Sequence, residues 1–481
     1  MSQTQGIEGA INSVFEPIAN AFSSVIFFAI PVGDVSFPLI VAWLIAAAAF
    51  FTVYLRFLNV RAFSFALKIA SGQVDSVQEN EGKGSDGEIS HFQALTTAVS
   101  GTVGLGNIAG VAVAIGLGGP GAIFWMVLVG FLGMSTKMAE CTLGVLYRQT
   151  TADGTVSGGP MYYLSEGFAR RGQAGLGKGL AIFCSIMLIG FSFGAGCLFQ
   201  VNQSFQQVAA QTPFDNGFIY GTVIALFVGA VIIGGIKSIG RVTATIVPFM
   251  CGIYVITALA IVILNITEVP GAILTIIKEA FVPTAVAGGF IGAMIQGFRR
   301  AAFSNEAGCG SASIAHSAVK TKDAATQGLV AMLEPFIDTV LVCSATGIVI
   351  VLSGAYTDES LKGISLTSAA FESVFWWGPY MVMVAAVLFA VSTMISWSYY
   401  GVTAFTYVAG QSQLTELAYK VVFCGLAVVG GVLSLGAVVD FSDAMIFAMT
   451  IPNIIGLYVM APEIKAELQR YLSLHAKGLE S

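Results

Sequence analysis

The sequence predicts an all-α polytopic membrane protein with 11 transmembrane helices, and three observations support this fold class. Hydrophobic residues make up 56% of the 481 residues and charged residues only 10%, whereas a soluble domain carries about 25% charged residues. The chain holds 56 glycines, and small residues let transmembrane helices approach each other closely. Eleven apolar runs are long enough to cross a bilayer. This composition, with a net charge of −6, excludes a soluble enzyme, a disordered chain and a nucleic-acid-binding protein.

The spans follow from the length of the apolar runs, because a transmembrane helix needs about 20 such residues. Residues 10–31 are also apolar, but Glu16, Pro17 and Asn20 interrupt them, so we predict an interfacial helix there. The eleven predicted spans cover residues 35–58, 92–117, 121–146, 178–209, 217–236, 240–265, 286–313, 325–353, 380–408, 416–437 and 440–460.

The basic residues predict the orientation, because cytoplasmic loops carry an excess of Lys and Arg. With the N-terminus outside, 16 of the 21 Lys and Arg residues fall on the cytoplasmic side, and only Lys278 and Lys362 fall on the outer side. The others lie within spans. The sequence therefore predicts an outer N-terminus and a cytoplasmic C-terminus, which an odd number of spans requires.

Two of the predicted spans contain stretches that disfavour a regular helix. The span 92–117 contains Ser100–Asn107, with three glycines in six residues, and the span 286–313 contains Gln296–Arg300 followed by Ser304–Ser311. Glycine weakens a helix, and irregular backbone at membrane depth persists only where it lines a cavity. Two interrupted spans at corresponding places indicate a transporter's binding site. The alternative is that these glycines only permit close helix packing.

The positions of the two breaks predict an inverted repeat. The breaks open the second and the seventh span, so two sets of five spans follow, and an odd set reverses its direction through the membrane. Gly104 and Gln200 are 96 residues apart, as are Gly297 and Thr393. The predicted segments are an interfacial segment at 1–34, an extra transmembrane helix with a cytoplasmic loop at 35–91, a first five-helix repeat at 92–265, a second at 266–460 and a cytoplasmic tail at 461–481.

The broken helices predict opposite charges at the site. A half-helix that starts near Leu105–Asn107 directs free N–H groups and a positive dipole end into the site, and this end suits a carboxylate. A half-helix that ends near Ala293–Gln296 presents free carbonyls, which suit an ammonium group or a cation. Together they predict a site for a zwitterion.

A cation site is predicted beside the first break. Ser392 and Thr393 lie in the middle of a span, and a hard cation prefers oxygen ligands such as hydroxyls and carbonyls. The alternative is that both hydroxyls bond to carbonyls of their own helix.

Several motifs resemble those of the alanine/glycine:cation (sodium) symporter family, and the resemblance covers about 35 to 460. The motifs are Gly158–Leu164, Ser304–Ser311 and the pair Ala315-His316. That family belongs to the amino acid–polyamine–organocation superfamily with the LeuT-like fold, which is one extra N-terminal helix plus a 5+5 inverted repeat here. The resemblance implies a sodium-coupled, or less often proton-coupled, importer of alanine or glycine in a bacterial or archaeal cytoplasmic membrane.

The resemblance also implies roles for individual residues. The run Gly104–Asn107 is similar to the unwound first core helix of the neurotransmitter:sodium symporters. The implied substrate-binding residues are Thr102, Gly104, Leu105, Gly106, Asn107, Gln200, Ala293, Gly297 and Trp397, with Trp397 as a cap that limits side-chain size. The implied sodium ligands are Ser100, Val103, Ser392 and Thr393.

A charged pair follows the second break. Arg299 and Arg300 lie within a span, where charge is expensive and is usually paired or functional. Glu306 is a candidate partner, and with the two arginines it would form a gate or a structural ion network. Other candidate partners are Glu140, Glu334 and Asp338. His91 is predicted as an interfacial residue and His316 as a loop residue.

Other classes of function are less well supported. An enzyme would need a nucleophile–base pair or metal-ligand spacing, and the sequence has neither, so we predict no enzyme. A channel would favour symmetric repeated loops. The alternatives within transport are a proton-coupled symporter, with H⁺ in place of Na⁺, and an uncoupled facilitator. The predicted partners are a small neutral amino acid and the lipid bilayer, with no nucleic acid and no obligate protein partner.

Overall fold

The computed structural model describes residues 13, 16–32, 35–74, 87–150, 156–281 and 289–474, and the described chain is mostly helical. A helix at 16–26 precedes the hairpin of β1 (Ala29–Val32) and β2 (Val35–Pro38), and β3 (Gln149–Thr150) pairs with β4 (Val156–Ser157). The α-helices are α1 (Leu39–Tyr54), α2 (Leu58–Arg61), α3 (Phe63–Ala70), α4 (His91–Thr102), α5 (Val111–Gly118), α6 (Gly121–Leu146), α7 (Pro160–Ala169), α8 (Ala174–Phe193), α9 (Phe199–Gln211), α10 (Gly217–Ile232), α11 (Gly235–Leu264), α12 (Val269–Phe281), α13 (Gly289–Asn305), α14 (Ala312–Ser317), α15 (Ala324–Ala331), α16 (Leu333–Pro335), α17 (Ser344–Ser353), α18 (Ile364–Glu372), α19 (Gly378–Ala409), α20 (Gln413–Gly430) and α21 (Leu435–Leu474).

Three wider, π-helical turns lie between α-helices. They are Gly106–Gly110 between α4 and α5, Gly194–Leu198 between α8 and α9, and Phe336–Cys343 between α16 and α17. Such turns occur mostly at functional sites. Two of them flank the region that the sequence predicts as the binding site.

Seven helical rods of the described residues are long and apolar enough to cross a membrane, and a bent pair makes an eighth. The bent pair is α4 with Gly106–Gly118, at an angle of 49°, and α1 and α10 are apolar but shorter. The seven rods are Gly121–Leu146, Ala174–Gln211, Gly235–Leu264, Ala324–Ser353, Gly378–Ala409, Gln413–Gly430 and Leu435–Leu474.

Some predicted boundaries differ from the structure. The first span begins at Leu39, because residues 35–38 form strand β2. The last helix continues to Leu474 through Pro452 and Pro462, so the predicted tail at 461 does not begin at a helix end. Short helices that the sequence analysis left as loops, among them α12 and α18, lie between the rods.

The first break lies where the sequence predicts it. Helix α4 starts with a capping box of Ser90 and Gln93 and ends at Thr102. The backbone then leaves the helical conformation at Val103, with ψ at 87°, before the wide turn Gly106–Gly110 begins. The glycine-rich composition is sufficient to explain why a helix stops here.

The second break lies further along the chain than predicted. Helix α13 runs unbroken through Gln296 and Gly297 to Asn305, so the predicted half-helix end near Ala293–Gln296 is wrong. A single glycine among good helix formers costs only about 1 kcal/mol and does not stop a helix. The break is the turn Glu306–Ser311, which holds left-handed backbone at Glu306 (φ 56°), Gly308 (φ 95°) and Gly310 (φ 86°).

Gly297 instead permits close packing of two helices. A Cβ on Gly297 would lie 2.5 Å from the Ala122 carbonyl oxygen and 2.6 Å from the Trp125 Cβ on helix α6. Ala293 lies one turn earlier, where its Cα is 3.2 Å from the position of a Cβ on Gly118. Both predicted substrate residues therefore face α5 and α6, as the close-packing alternative requires.

Candidate functional site

The first break is held by two side-chain amides. The Gly104 N–H donates to Asn107 Oδ1 at 2.8 Å, and the Leu105 N–H donates to Gln200 Oε1 at 3.2 Å. Gln200 lies on α9, so the structure brings the rod Ala174–Gln211 to the break. The N–H groups of Gly104 and Leu105 thus already hold amide oxygens, and a carboxylate can replace an amide oxygen there.

Both glycines of the break face other helices at close range. The Thr393 hydroxyl on α19 occupies the space that a Cβ on Gly104 would take. Gly106 faces the second broken rod, because its Cβ would lie 3.4 Å from the Phe303 ring and 3.7 Å from the Ser304 Cα. The site is therefore enclosed by the first break, α9, α19 and the end of α13.

The predicted cation ligands bring α4 and α19 together. The Thr393 hydroxyl donates to the Ser100 carbonyl oxygen at 3.0 Å, and the Ser100 hydroxyl donates to the Ser392 carbonyl oxygen at 2.7 Å. The Ser392 hydroxyl donates to the Phe389 carbonyl oxygen at 3.0 Å. Ser392 therefore bonds within its own helix, which is the alternative to a role as a cation ligand. Val103 is fully buried at the end of α4. A hard cation that prefers oxygen fits the Ser100 carbonyl and the Thr393 hydroxyl best.

Trp397 connects both broken segments. Its indole N–H lies 3.1 Å from the Gly101 carbonyl oxygen and 3.1 Å from Glu306 Oε1. Its ring contacts Phe191 edge-on, with centroids 4.6 Å apart. Thr102, by contrast, donates only to carbonyls of its own helix. The buried indole therefore joins the two breaks, and its role as a cap stays a prediction.

The sequence analysis missed Asp338 as part of this site. Asn107 Nδ2 donates to Asp338 Oδ1 at 2.6 Å, and the hydroxyls of Ser304 and Thr339 donate to Oδ2 at 2.8 Å and 2.6 Å. The Asp338 side chain is fully buried. A carboxylate inside a predicted span was the available signal, but the sequence could only offer it as a partner for the arginines.

The partner of Arg299 and Arg300 is Asp443 on the last helix, so the prediction of Glu306 is wrong. Arg299 Nη2 lies 2.8 Å from Asp443 Oδ2, and Arg300 contacts the same oxygen. The Arg300 guanidinium lies over the Phe303 ring at 5.0 Å. Glu306 instead accepts from Trp397 and from the Ser311 hydroxyl. The reason is the turn at 306, which directs that side chain away from α13.

The other candidate partners are also engaged elsewhere. Glu140 accepts from the Gly310 N–H at 3.1 Å and from Asn453 Nδ2 at 2.7 Å, and Glu334 lies beside Lys137. Because these contacts reach the second break, Glu140 stabilises the turn rather than the arginines.

The motif at 158–164 packs against the same turn. Gly159 has a φ of 127°, and Tyr163 donates a hydrogen bond to Asn453 Oδ1. Asn453 also donates to the Gly308 carbonyl oxygen at 2.8 Å. The motifs Gly158–Leu164 and Ser304–Ser311 therefore form one structural unit.

The chain matches the profile described as the sodium:alanine symporter family over residues 25–481. It is 40% identical over 440 residues to the sodium/alanine symporter AgcS of Methanococcus maripaludis, and the match covers 90% of this chain and 94% of that protein. It is 32% identical over 440 residues to the probable sodium/glutamine symporter GlnT of Bacillus subtilis, and the match covers 90% of this chain and 87% of that protein.

The fold is similar to a solved transporter structure. The crystal structure of MhsT in complex with L-phenylalanine superposes with a TM-score of 0.56 at 16% identity, over 80% of this chain and 93% of that chain. This likeness concerns the fold alone, and it supports a LeuT-like helical fold for the chain. Because the matching family consists of membrane transporters, the enzyme class is excluded. The chain belongs to the sodium:alanine symporter family.

Proposed function

We propose that the protein is a sodium-coupled secondary active symporter that imports small neutral amino acids, alanine or glycine, by alternating access. The observation that carries this proposal is the first break, where Gln200 and Thr393 from two other rods meet backbone that can bind a carboxylate. Membership of a sodium-coupled family supports the ion, and the name of AgcS supports alanine. The name of GlnT makes glutamine a competing substrate.

The substrate carboxylate binds at the N–H groups of Leu105 and Gly106. Gln200 Oε1 now accepts from the Leu105 N–H, and the positive end of the following helix favours an anion there. Phe303 faces Gly106 and Trp397 joins the breaks, so large aromatic and apolar surfaces border the site. We infer that this enclosure selects small side chains.

Two oxygen clusters are candidate cation positions. The first is the Ser100 carbonyl, the Val103 carbonyl and the Thr393 hydroxyl, beside α19. The second is the Asp338 carboxylate with the Ser304 hydroxyl, and Asn107 Nδ2 donates to the same carboxylate. A carboxylate with neutral oxygen ligands is typical of hard cations in proteins. Both clusters contact the same broken backbone, so sodium and substrate each raise the other's affinity.

We infer how the site is reached from the two sides of the membrane from one buried ion pair and one cavity. Arg300 pairs with Asp443 and lies over Phe303, which faces Gly106, so we infer that this ion pair closes one side of the site. A cavity of about 620 Å³ lies towards the other side, between the start of α11, the second half of α19 and the start of α20. Ser398 lines it five residues beyond Thr393, about 7.5 Å along the helix. With the orientation expected from the basic residues, this cavity opens towards the cytoplasm, in the direction of import.

The topology belongs to the same proposal. We infer 11 spans, with the short helices α1 and α10 and the broken rod at α13 counted as crossings. The proposed topology also includes an inverted repeat of 92–265 and 266–460 and an outer N-terminus. The membrane is a prokaryotic cytoplasmic membrane. Accessibility labelling of single cysteines at 172 and 411, both on the predicted cytoplasmic side, and at 359, on the predicted outer side, tests this orientation.

The decisive experiment is uptake of labelled alanine into proteoliposomes that hold the purified protein. An inward sodium gradient is compared with an equal potassium gradient, with and without a pH gradient. We expect accumulation above equilibrium with sodium only. Accumulation driven by pH alone would move the coupling to protons, and equilibration without accumulation would indicate a facilitator. Competition by unlabelled glycine, serine and glutamine then ranks the substrates.

A further inference from the structure

Glu306 is a buried acidic residue that the proposed substrate and sodium positions do not use. It is 1% exposed, and its expected partners Arg299 and Arg300 pair with Asp443 instead. An acidic side chain inside the membrane is costly and usually has a function. The groups that this side chain contacts therefore indicate its role.

The backbone at Glu306 has a conformation that favours glycine. Its φ is 56°, and the other two left-handed residues of the same turn are Gly308 and Gly310. A residue with a side chain is strained in this region, and such strain persists where the surrounding contacts compensate for it. The contacts of the Glu306 side chain therefore hold the turn in this conformation.

Each side-chain oxygen of Glu306 accepts one hydrogen bond. The Ser311 hydroxyl donates to Oε2 and fixes the side chain within its own turn. The Trp397 indole N–H lies 3.1 Å from Oε1, and Lys137 is a buried cation within electrostatic reach. Glu306 is thus anchored by one oxygen and holds helix α19 by the other.

The two buried histidines near this region are engaged with another side chain. His91 at the start of α4 and His316 on α14 both contact the Gln327 amide. Both histidines are buried, so the interfacial and loop positions expected from the sequence are wrong.

The orientation of the Trp397 ring depends on its N–H group. The N–H is shared between Glu306 Oε1 and the Gly101 carbonyl oxygen, both at 3.1 Å. The ring packs edge-on against Phe191 and Tyr400, with centroids 4.6 Å and 5.2 Å away. Apolar contacts are non-directional, whereas a hydrogen bond is directional. The two acceptors therefore fix how the indole is turned.

Trp397 lies beside the proposed substrate position. It follows Thr393 by one turn of α19, so the two side chains are neighbours on one face of the helix. The Thr393 hydroxyl occupies the space of a Cβ on Gly104, and Trp397 contacts Gly101 near the end of α4. The indole thus covers the turn of the chain that comes directly before the first break.

We propose that Glu306 is a positioning residue that sets the substrate selectivity through Trp397. This inference rests on the proposed function and names the residue that restricts the substrate to small side chains. Oε1 holds the indole in the orientation that narrows the site between the two breaks. Without this acceptor, only the Gly101 carbonyl oxygen holds the indole N–H among the described residues, so the ring can turn and longer side chains can enter.

The test compares Glu306→Gln with Glu306→Met in proteoliposomes. The first variant keeps an acceptor oxygen, and the second keeps the length of the side chain without an oxygen. Selectivity is the ratio of the concentrations of unlabelled alanine and unlabelled glutamine that halve sodium-driven uptake of labelled alanine. We expect Glu306→Met to lower the preference for alanine over glutamine by about tenfold, and Glu306→Gln to stay within about twofold of the wild type.

Gln207→Met is the matched control for the loss of a buried hydrogen bond. Gln207 is buried and donates to the Ser368 hydroxyl and the Pro379 carbonyl oxygen. It lies seven residues beyond Gln200 on α9, roughly 10 Å along the helix. This variant should lower the stability in detergent but keep the selectivity of the wild type.

Trp397→Phe tests the same contact from the other side and leaves the strained turn untouched, so it serves even where Glu306→Met does not fold. It removes the N–H group and should lower the preference for alanine as Glu306→Met does. The double variant should match Trp397→Phe alone, because Glu306 acts through that N–H group.

Three results would overturn the inference. They are additive effects of the two substitutions, equal selectivity of Glu306→Gln and Glu306→Met, and unchanged selectivity of Trp397→Phe. Failure of the proposed function is distinct, because it appears as absence of sodium-driven alanine uptake by the wild type.

Discussion

The Thr393 hydroxyl occupies the space that any side chain at Gly104 would need. The same hydroxyl donates to the Ser100 carbonyl oxygen at 3.0 Å. One atom of α19 thus contacts the broken helix on both sides of its turn. This contact explains why glycine is required after the end of helix α4, and it connects the candidate cation ligand with the backbone that we propose binds the substrate.

Gly104→Ala should reduce sodium-driven alanine uptake by about tenfold or more, because overpacking a buried contact costs about 1–3 kcal/mol. The added methyl group would displace Thr393. Gly116→Ala is the control, since a Cβ at Gly116 meets no atom within 4 Å, and it should retain uptake. Initial uptake rates at equal protein incorporation measure both variants. Normal transport by Gly104→Ala would show that this close approach is not needed.

Thr393→Ala should raise the sodium concentration for half-maximal uptake by about fivefold, because one hydrogen-bonding or ligating hydroxyl contributes about 1 kcal/mol. Thr393→Ser keeps the oxygen and should remain close to the wild type. Sodium titrations of uptake at saturating alanine separate the two. If both variants behave alike, the hydroxyl is not a sodium ligand.

Asp338→Asn should weaken sodium dependence more strongly, by about tenfold or more, since contacts to a charged group are worth about 1.5–3 kcal/mol. The variant keeps the side-chain shape but removes the charge that Asn107 and Ser304 now contact. Asp358→Asn is the control, because Asp358 bonds only within its own exposed turn to Ser360. An unchanged sodium titration for Asp338→Asn would remove this carboxylate from the cation site.

Asp443→Asn should lower the thermal stability and slow transport with little change in alanine affinity. It leaves Arg300, which is 2% exposed, without its counter-charge, and an uncompensated buried charge costs about 3–5 kcal/mol. The double variant with Arg300→Gln removes this unpaired buried charge and should recover part of the stability. Unfolding in detergent and uptake kinetics are measured together. Glu306→Gln, in contrast, should leave the arginine pair intact.

Gly297→Ala should destabilise the protein by about 1–3 kcal/mol, the usual cost of overpacking, and leave the sodium dependence unchanged. Its Cβ would meet the Ala122 carbonyl oxygen on α6. Gly252→Ala on α11 is the control, because a Cβ there contacts nothing within 4 Å. A selective change in alanine or sodium affinity, without loss of stability, would return Gly297 to the binding site.

The sequence by itself determined the features that depend on local composition. Scarce charge and long apolar runs require helices in a membrane. Three glycines between Ser100 and Asn107 are enough to stop helix α4. Those effects act within a few residues, so no tertiary contact is needed to predict them.

Only the tertiary structure decided how the remaining residues pair. Arg299 and Asp443 are separated by most of the second half of the described chain, and Asp338 meets Asn107 from another rod. Gly297 is indistinguishable in sequence from a helix-breaking glycine, but the backbone of α6 beside it explains its presence. A buried charge or a close backbone approach is stable only beside a suitable partner. How distant helices pack decides which residue becomes that partner.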